Sequence, residues 1–100
     1  DIWDATSMAS SRAEAAVVLG DAALAHEAAR VLRECRGRMV VSGISVVLGP
    51  VDGYLALAEH VLGRTAAATE AADAATAQAR EWGMDAYLRW LEGERARLGF

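Results

Sequence analysis

VVLGPVDGYLALAEHVLGR, residues 46–64, decides how the rest of the chain is read. A Gly-Pro pair interrupts an apolar run, and Gly53 follows three residues after Pro50. The stretch Gly49-Pro50-Val51-Asp52-Gly53 is either a ligand loop or the entry to a helix. It lacks the Lys-Ser/Thr ending of a phosphate-cradling loop and the G-x-G-x-x-G spacing of a dinucleotide site. Proline costs little in the first turn of a helix and roughly 3 kcal/mol in its interior. A helix entered at Pro50 therefore fits better. From there Val51, Tyr54, Leu55, Ala58 and Leu62 share one helical stripe. Gly53 weakens that helix by up to about 1 kcal/mol against Ala, which close approach of another backbone would account for. Leu62-Gly63 closes it, because glycine readily takes the left-handed conformation that ends a helix.

Leu-Gly recurs at 19–20, 62–63 and 98–99. LGDAALAHEAARVL (19–32) lies over LGRTAAATEAADAA (62–75), matching Ala23/Ala66, Ala25/Ala68, Glu27/Glu70, Ala28/Ala71 and Ala29/Ala72. A second shift lays Val51, Tyr54, Leu55 and Leu62 over Tyr87, Trp90, Leu91 and Leu98. Each Leu-Gly punctuates a helix, and the next helix starts within a few residues.

The spacing predicts helices over 4–19, 21–36, 64–82 and 84–98, with one between them from about 44 or 50 to 62. In 64–82, Ala68, Ala71, Ala72, Ala75, Ala79 and Trp82 form one stripe, while Thr69, Glu70, Asp73, Thr76 and Arg80 face away. A seam of alanines lets a neighbouring helix come close. In 84–98 the stripe is Tyr87, Trp90, Leu91 and Leu98, broken by Glu94. Asp85/Arg89, Glu92/Arg95 and Glu94/Arg97 can pair along its outer face. Asp21 is placed to cap 21–36, whose stripe is Ala25, Ala28, Ala29, Leu32 and Cys35. In 4–19, Met8, Ala15, Val18 and Leu19 are expected inward. RMVVSGISVVLG (38–49) is rich in β-branched residues and reads as a connection to about 43. Whether it is extended, or the helix runs back through Pro50 to Ile44, stays open.

One hundred residues with 54% hydrophobic content, 23 alanines and one proline describe a single all-α domain. All ten basic residues are Arg, and Lys and Asn are absent. That bias suggests a GC-rich bacterial genome. A net charge of −4 argues against direct nucleic-acid binding, which needs a basic face. One cysteine cannot form an internal disulfide, which fits a reducing cytoplasm. No apolar run is long enough for a membrane span, and the acidic Asp1-Ile2-Trp3-Asp4 opening is not a signal peptide. The non-Met start, and an end in the middle of a repeat, read as a fragment of a larger multidomain protein. Such a fragment is expected to self-associate as a homodimer through the helix at 4–19 or at 84–98, whose apolar faces lose their neighbours.

The helix pairs resemble the tetratricopeptide motif. Leu55, Ala56, Gly63, Ala68, Ala72 and Ala75 occupy its large, small and glycine places. Glu59 and Ala72 stand where the motif has aromatics, and Arg80 stands at its closing proline. The resemblance implies an α-α superhelix of about two and a half repeats, whose first helices line a concave face. By that implication Tyr54, Leu57, His60, Arg89 and Trp90 form a partner-binding groove. Over residues 19–100, GRMVVSGISVVLGPVDGYLALAEHVLGR, the Ala-rich helix after it and the REWG ending are similar to helical repeats of large actinobacterial regulators. These are ATPase-type proteins related to LuxR-type and antibiotic-regulatory transcriptional activators, some linked to a cyclase domain. The implied function is a non-catalytic segment of a transcriptional or signalling regulator, acting by protein–protein or intramolecular contact. The alternative is a free-standing helical bundle that binds a small ligand.

No residue pattern points to catalysis, a cofactor or a metal. His26-Glu27-Ala28-Ala29-Arg30 lacks the second histidine of the zinc-protease motif H-E-x-x-H. Cys35, His26 and His60 have no metal-ligand spacing, and a Cys35–His60 nucleophilic pair would need tertiary contact. Cys35 reads as a buried small thiol. Arg30, Arg33, Arg36 and Arg38 crowd a helix end, where cations complement the free carbonyls. The alternative is a docking spot for an acidic segment. Trp3, Trp82 and Trp90 read as core or interface anchors.

Overall fold

Pro50 stands at the seam between two kinds of backbone. Before it the chain is extended, and after it the chain is helical. A computed structural model describes the backbone of residues 2–42 and 46–100, and the side-chain surroundings of residues 5–41 and 48–100. Among these, the protein is all-α: α1 (Ile2–Leu19), α2 (Ala22–Glu34), α3 (Val51–Val61), α4 (Thr65–Glu81) and α5 (Asp85–Leu98). One small hairpin, β1 (Met39–Ser42) and β2 (Val46–Pro50), joins α2 to α3.

Over 39–42 and 46–50 the β-branched segment is therefore extended, not an extension of α3. β1 and β2 pair antiparallel, with Val40 opposite Gly49 and Val41 opposite Val47. The register slips between them, so Leu48 is the extra residue of a bulge. Val51 N–H donates to Arg38 C=O at 2.9 Å and carries the pairing to the helix start. Pro50 is the N-cap residue, one place earlier than a first-turn proline. A helix running back through Pro50 is excluded by the strand over 46–50; Ile44 itself lies outside the described residues.

The Leu-Gly punctuation holds: Gly20, Gly63 and Gly99 have φ of 63°, 77° and 88°. Asp21 caps α2 by accepting from Leu24 N–H at 3.1 Å. Ala68, Ala71, Ala72, Ala75 and Ala79 are buried along α4, as the stripe predicts. Trp82 is not: α4 ends at Glu81, so Trp82 falls off the stripe and is exposed. Trp3 lies outside the residues whose surroundings are described.

α1 is turned the other way from expectation. Thr6, Ala9, Ser10, Ala13 and Ala16 are buried, while Met8, Val18 and Leu19 are exposed. The small inner face lets α1 approach α2 and α3 closely, against Ala25, Ala28 and Ala29 of α2. The Ser10 hydroxyl costs little there, because its Oγ donates to Thr6 C=O at 2.7 Å.

α3 is the central strut. α1, α2 and α4 pack on it, and every residue from Val51 to Glu59 is buried. The radius of gyration, 12.0 Å, lies below the ~13 Å usual for a 100-residue domain, as suits helices gathered around one strut. No described helix is long and apolar enough to cross a membrane.

Candidate functional site

Of the five groove residues, the structure brings Tyr54 and Trp90 together. Their ring centroids lie 5.0 Å apart, tilted by 32°. Tyr87 completes a three-ring cluster, 6.2 Å from Tyr54 edge-on and 5.3 Å from Trp90. The 3.6-residue period explains it: Tyr87, Trp90 and Leu91 share the face that α5 lays on α3. Leu57 is 1% exposed and Tyr54 6%, so both pack the interior and offer a partner almost no surface. His60 is half-buried and stacks at 5.4 Å on Phe100. Arg89 is exposed on α5. The five thus form no continuous open groove, because α1, α2 and α4 cover α3 and the Tyr87 and Trp90 rings of α5 close over its first turn, where an open array would leave it bare.

Tyr87 is the residue whose role the sequence hid. Its hydroxyl donates to Pro50 C=O at 2.8 Å, and its ring lies over Gly49 and Gly53. A Cβ on Gly53 would stand 1.8 Å from that hydroxyl oxygen, and one on Gly49 would stand 2.2 Å from a ring carbon. Gly49 also has φ of 131°, a conformation essentially reserved for glycine. The close approach at Gly53 is thus a tyrosine side chain, not another backbone. The two glycines and the proline of GPVDG form a shallow seat for the Tyr87 ring. An aromatic opposite two glycines is the signal, and only tertiary contact reveals it.

Burial holds both tyrosines in the neutral form. It pushes Tyr54 up to about 12 from the ordinary 10.0, with help from the nearby charge of Glu14. Tyr87 is raised further, first by burial, then by the charges of Tyr54 and Asp52. A raised pKa means the folded state holds its proton more tightly than the unfolded state. This contribution is full below pH 10 and is lost as pH rises towards 12. We expect spectrophotometric titration to show no tyrosinate at pH 10 while the chain is folded. Ionisation of either tyrosine at its ordinary pH, without unfolding, would contradict the packing.

The arginine cluster does not chiefly serve the end of α2. Arg33 pairs with the buried Glu59 of α3, which Arg64 also approaches at 3.6 Å. Arg36 bonds the buried Asp52 at 3.0 and 2.9 Å and both oxygens of Glu70 at 2.7 Å. Asp52 also accepts from Gly37 N–H at 2.9 Å. The hydrogen bonds that Arg36 donates to Glu70 are the main cause that raises Arg36, and the same bonds lower Glu70. Gln78 donates to Gly37 C=O at 2.9 Å, so α2, α3 and α4 meet at the hairpin root. Arg30 and Arg38 are exposed. On α5, Arg97 pairs with Glu94 as expected, but Arg95 reaches Asp73 of α4 at 2.9 Å instead of Glu92.

His26 is exposed on α2, and Cys35 is buried at its end. No protein-family model, curated protein or solved structure matches the chain.

Proposed function

We propose that the chain is a tetratricopeptide-like helical-repeat segment of a bacterial cytoplasmic regulator, working by protein–protein or intramolecular contact rather than by catalysis. The observation that carries this reading is the repeated unit. α1 packs on α2, and α3 packs on α4, with the first helix of each pair ended by Leu-Gly whose glycine is left-handed. α3 then packs back on α1 and α2, and α5 packs on α4 as the opening helix of a third pair. Stacked pairs of this kind suit a stiff spacer between modules. The charged side chains join the units instead of converging on one cavity. The buried carboxylate Glu59 is held by Arg33 of α2, and Asp52 by Arg36 in the turn just after α2.

The reading frame that encodes the chain tests this reading. It is expected to continue into further helix pairs and into an ATPase, cyclase or helix-turn-helix module. A frame of about this length, with neither, would contradict it.

A further inference from the structure

α5 buries less of itself than its neighbours do. Tyr87 and Leu91 are buried out of its fourteen residues, whereas α3 buries nine of eleven. No side chain caps its first turn. Beyond Leu91 its contacts lie near water. Arg95 bonds the exposed Asp73, and the half-buried Phe100 stacks on His60. Such contacts hold an element weakly. A helix of this length is marginal on its own, so α5 keeps its order only while it is docked.

Glu94 breaks the apolar stripe of α5, and the break has a counterpart on α1. Glu94 follows Trp90 by one turn, on the face that α5 lays against α3. Glu14 comes to the same place from the other side: its charge reaches Tyr54, whose ring stacks on Trp90. Among the described residues Glu14 has no ion-pair partner, and Glu94 has only Arg97 of its own helix. Desolvation first, and then the charge of Glu94, hold Glu14 above the usual carboxylate range. Like charges therefore meet where α5 closes, and among the described residues no ion pair joins α1 to α5.

We propose that α5 is a lid, which opens as a unit about Trp82-Gly83-Met84 and is pushed towards opening by the facing carboxylates of Glu14 and Glu94. The hinge suits the movement. Gly83 is left-handed, with φ of 67°, and no atom lies within 4 Å of where its side chain would begin. Opening lifts the Tyr87 ring from its seat on Gly49 and Gly53, releases Pro50 C=O and bares Tyr54. The open form presents an aromatic floor beside a free hydrogen-bond acceptor, both hidden in the closed form. This inference does not rest on the regulator reading, because it uses only the contacts of α5 with α1, α3 and α4.

Native-state hydrogen exchange of the whole chain tests it, under conditions where exchange reports the population of open forms. Amides of residues 88–91 in α5 are expected to be at least about tenfold less protected than those of residues 55–58 in α3. Glu14→Gln should raise protection in α5 roughly twofold to fivefold, the size of one partly screened charge contact. Glu92→Gln, on the exposed side of α5, should leave it unchanged. Asp21→Ala removes the cap of α2 and should lower protection in α3 roughly fivefold. It should leave α5 unchanged, since the lid opens without α2. Equal protection in α5 and α3 overturns the proposal. So does α5 protection that falls with Asp21→Ala, or a Glu14→Gln chain whose α5 gains no more than that of Glu92→Gln.

Discussion

Gly53→Ala is expected to destabilise the fold by about 3 kcal/mol, the opposite of what helix propensity alone gives. In an unencumbered helix interior the change gains roughly 0.5–1 kcal/mol. Here the new methyl would stand 1.8 Å from the Tyr87 hydroxyl oxygen and 2.9 Å from the ring carbon that bears it. The ring cannot simply swing aside. It packs on Tyr54 and Trp90, and its hydroxyl is bonded to Pro50 C=O. Overpacking typically costs 1–3 kcal/mol, and the broken bond would leave a buried carbonyl unpaired for roughly 1–3 kcal/mol more. Urea unfolding of Gly53→Ala, Tyr87→Phe and the double variant separates these contributions. With the hydroxyl gone, the penalty at residue 53 should fall by about half, a coupling only contacting residues show. A Gly53→Ala protein as stable as wild type, or strictly additive variants, would refute the seat.

Asp52→Ala is expected to cost a similar amount, about 3 kcal/mol, or a fall in Tm of roughly 10–20 °C for a chain of this size. Asp52 is buried and accepts from Arg36 Nε, Arg36 Nη2 and Gly37 N–H. Its removal leaves a guanidinium short of a partner and a backbone N–H without an acceptor. Glu70 is the internal control, since the same arginine bonds it at 2.7 Å but its carboxylate is in water. Solvent screening makes such an exposed pair worth little. Thermal unfolding of Glu70→Gln should therefore stay close to wild type. Equal losses from the two variants would mean that Asp52 is not the buried anchor described.

Much of this architecture is local and so is legible in the sequence. The Leu-Gly stops, the Asp21 cap, the alanine seam of α4 and the helix from Pro50 onward depend on neighbours within a few residues. The reversed face of α1 is not legible that way. Both of its faces are apolar, and periodicity cannot say whether the small or the large residues turn inward. The arginines mislead for a related reason. Their sequence neighbours suggest a helix-end role, but their partners lie 16, 26 and 34 residues away. In the candidate groove, the nearness of Tyr54 and Trp90 follows from helix period and stacking. The burial of Tyr54 and Leu57 depends on how tightly the neighbouring helices and the Tyr87 and Trp90 rings close over α3, which no local pattern encodes.

The enclosure of α3 carries the rest: it turns GPVDG into a seat and closes the groove. A nuclear Overhauser spectrum of the folded chain tests it most directly. Strong cross-peaks are expected from the Tyr87 ring protons to the α-protons of both Gly49 and Gly53, with further peaks between the rings of Tyr54 and Trp90. A Tyr87 ring that shows neither glycine contact, with Tyr54 ionising at its ordinary pH, would contradict it.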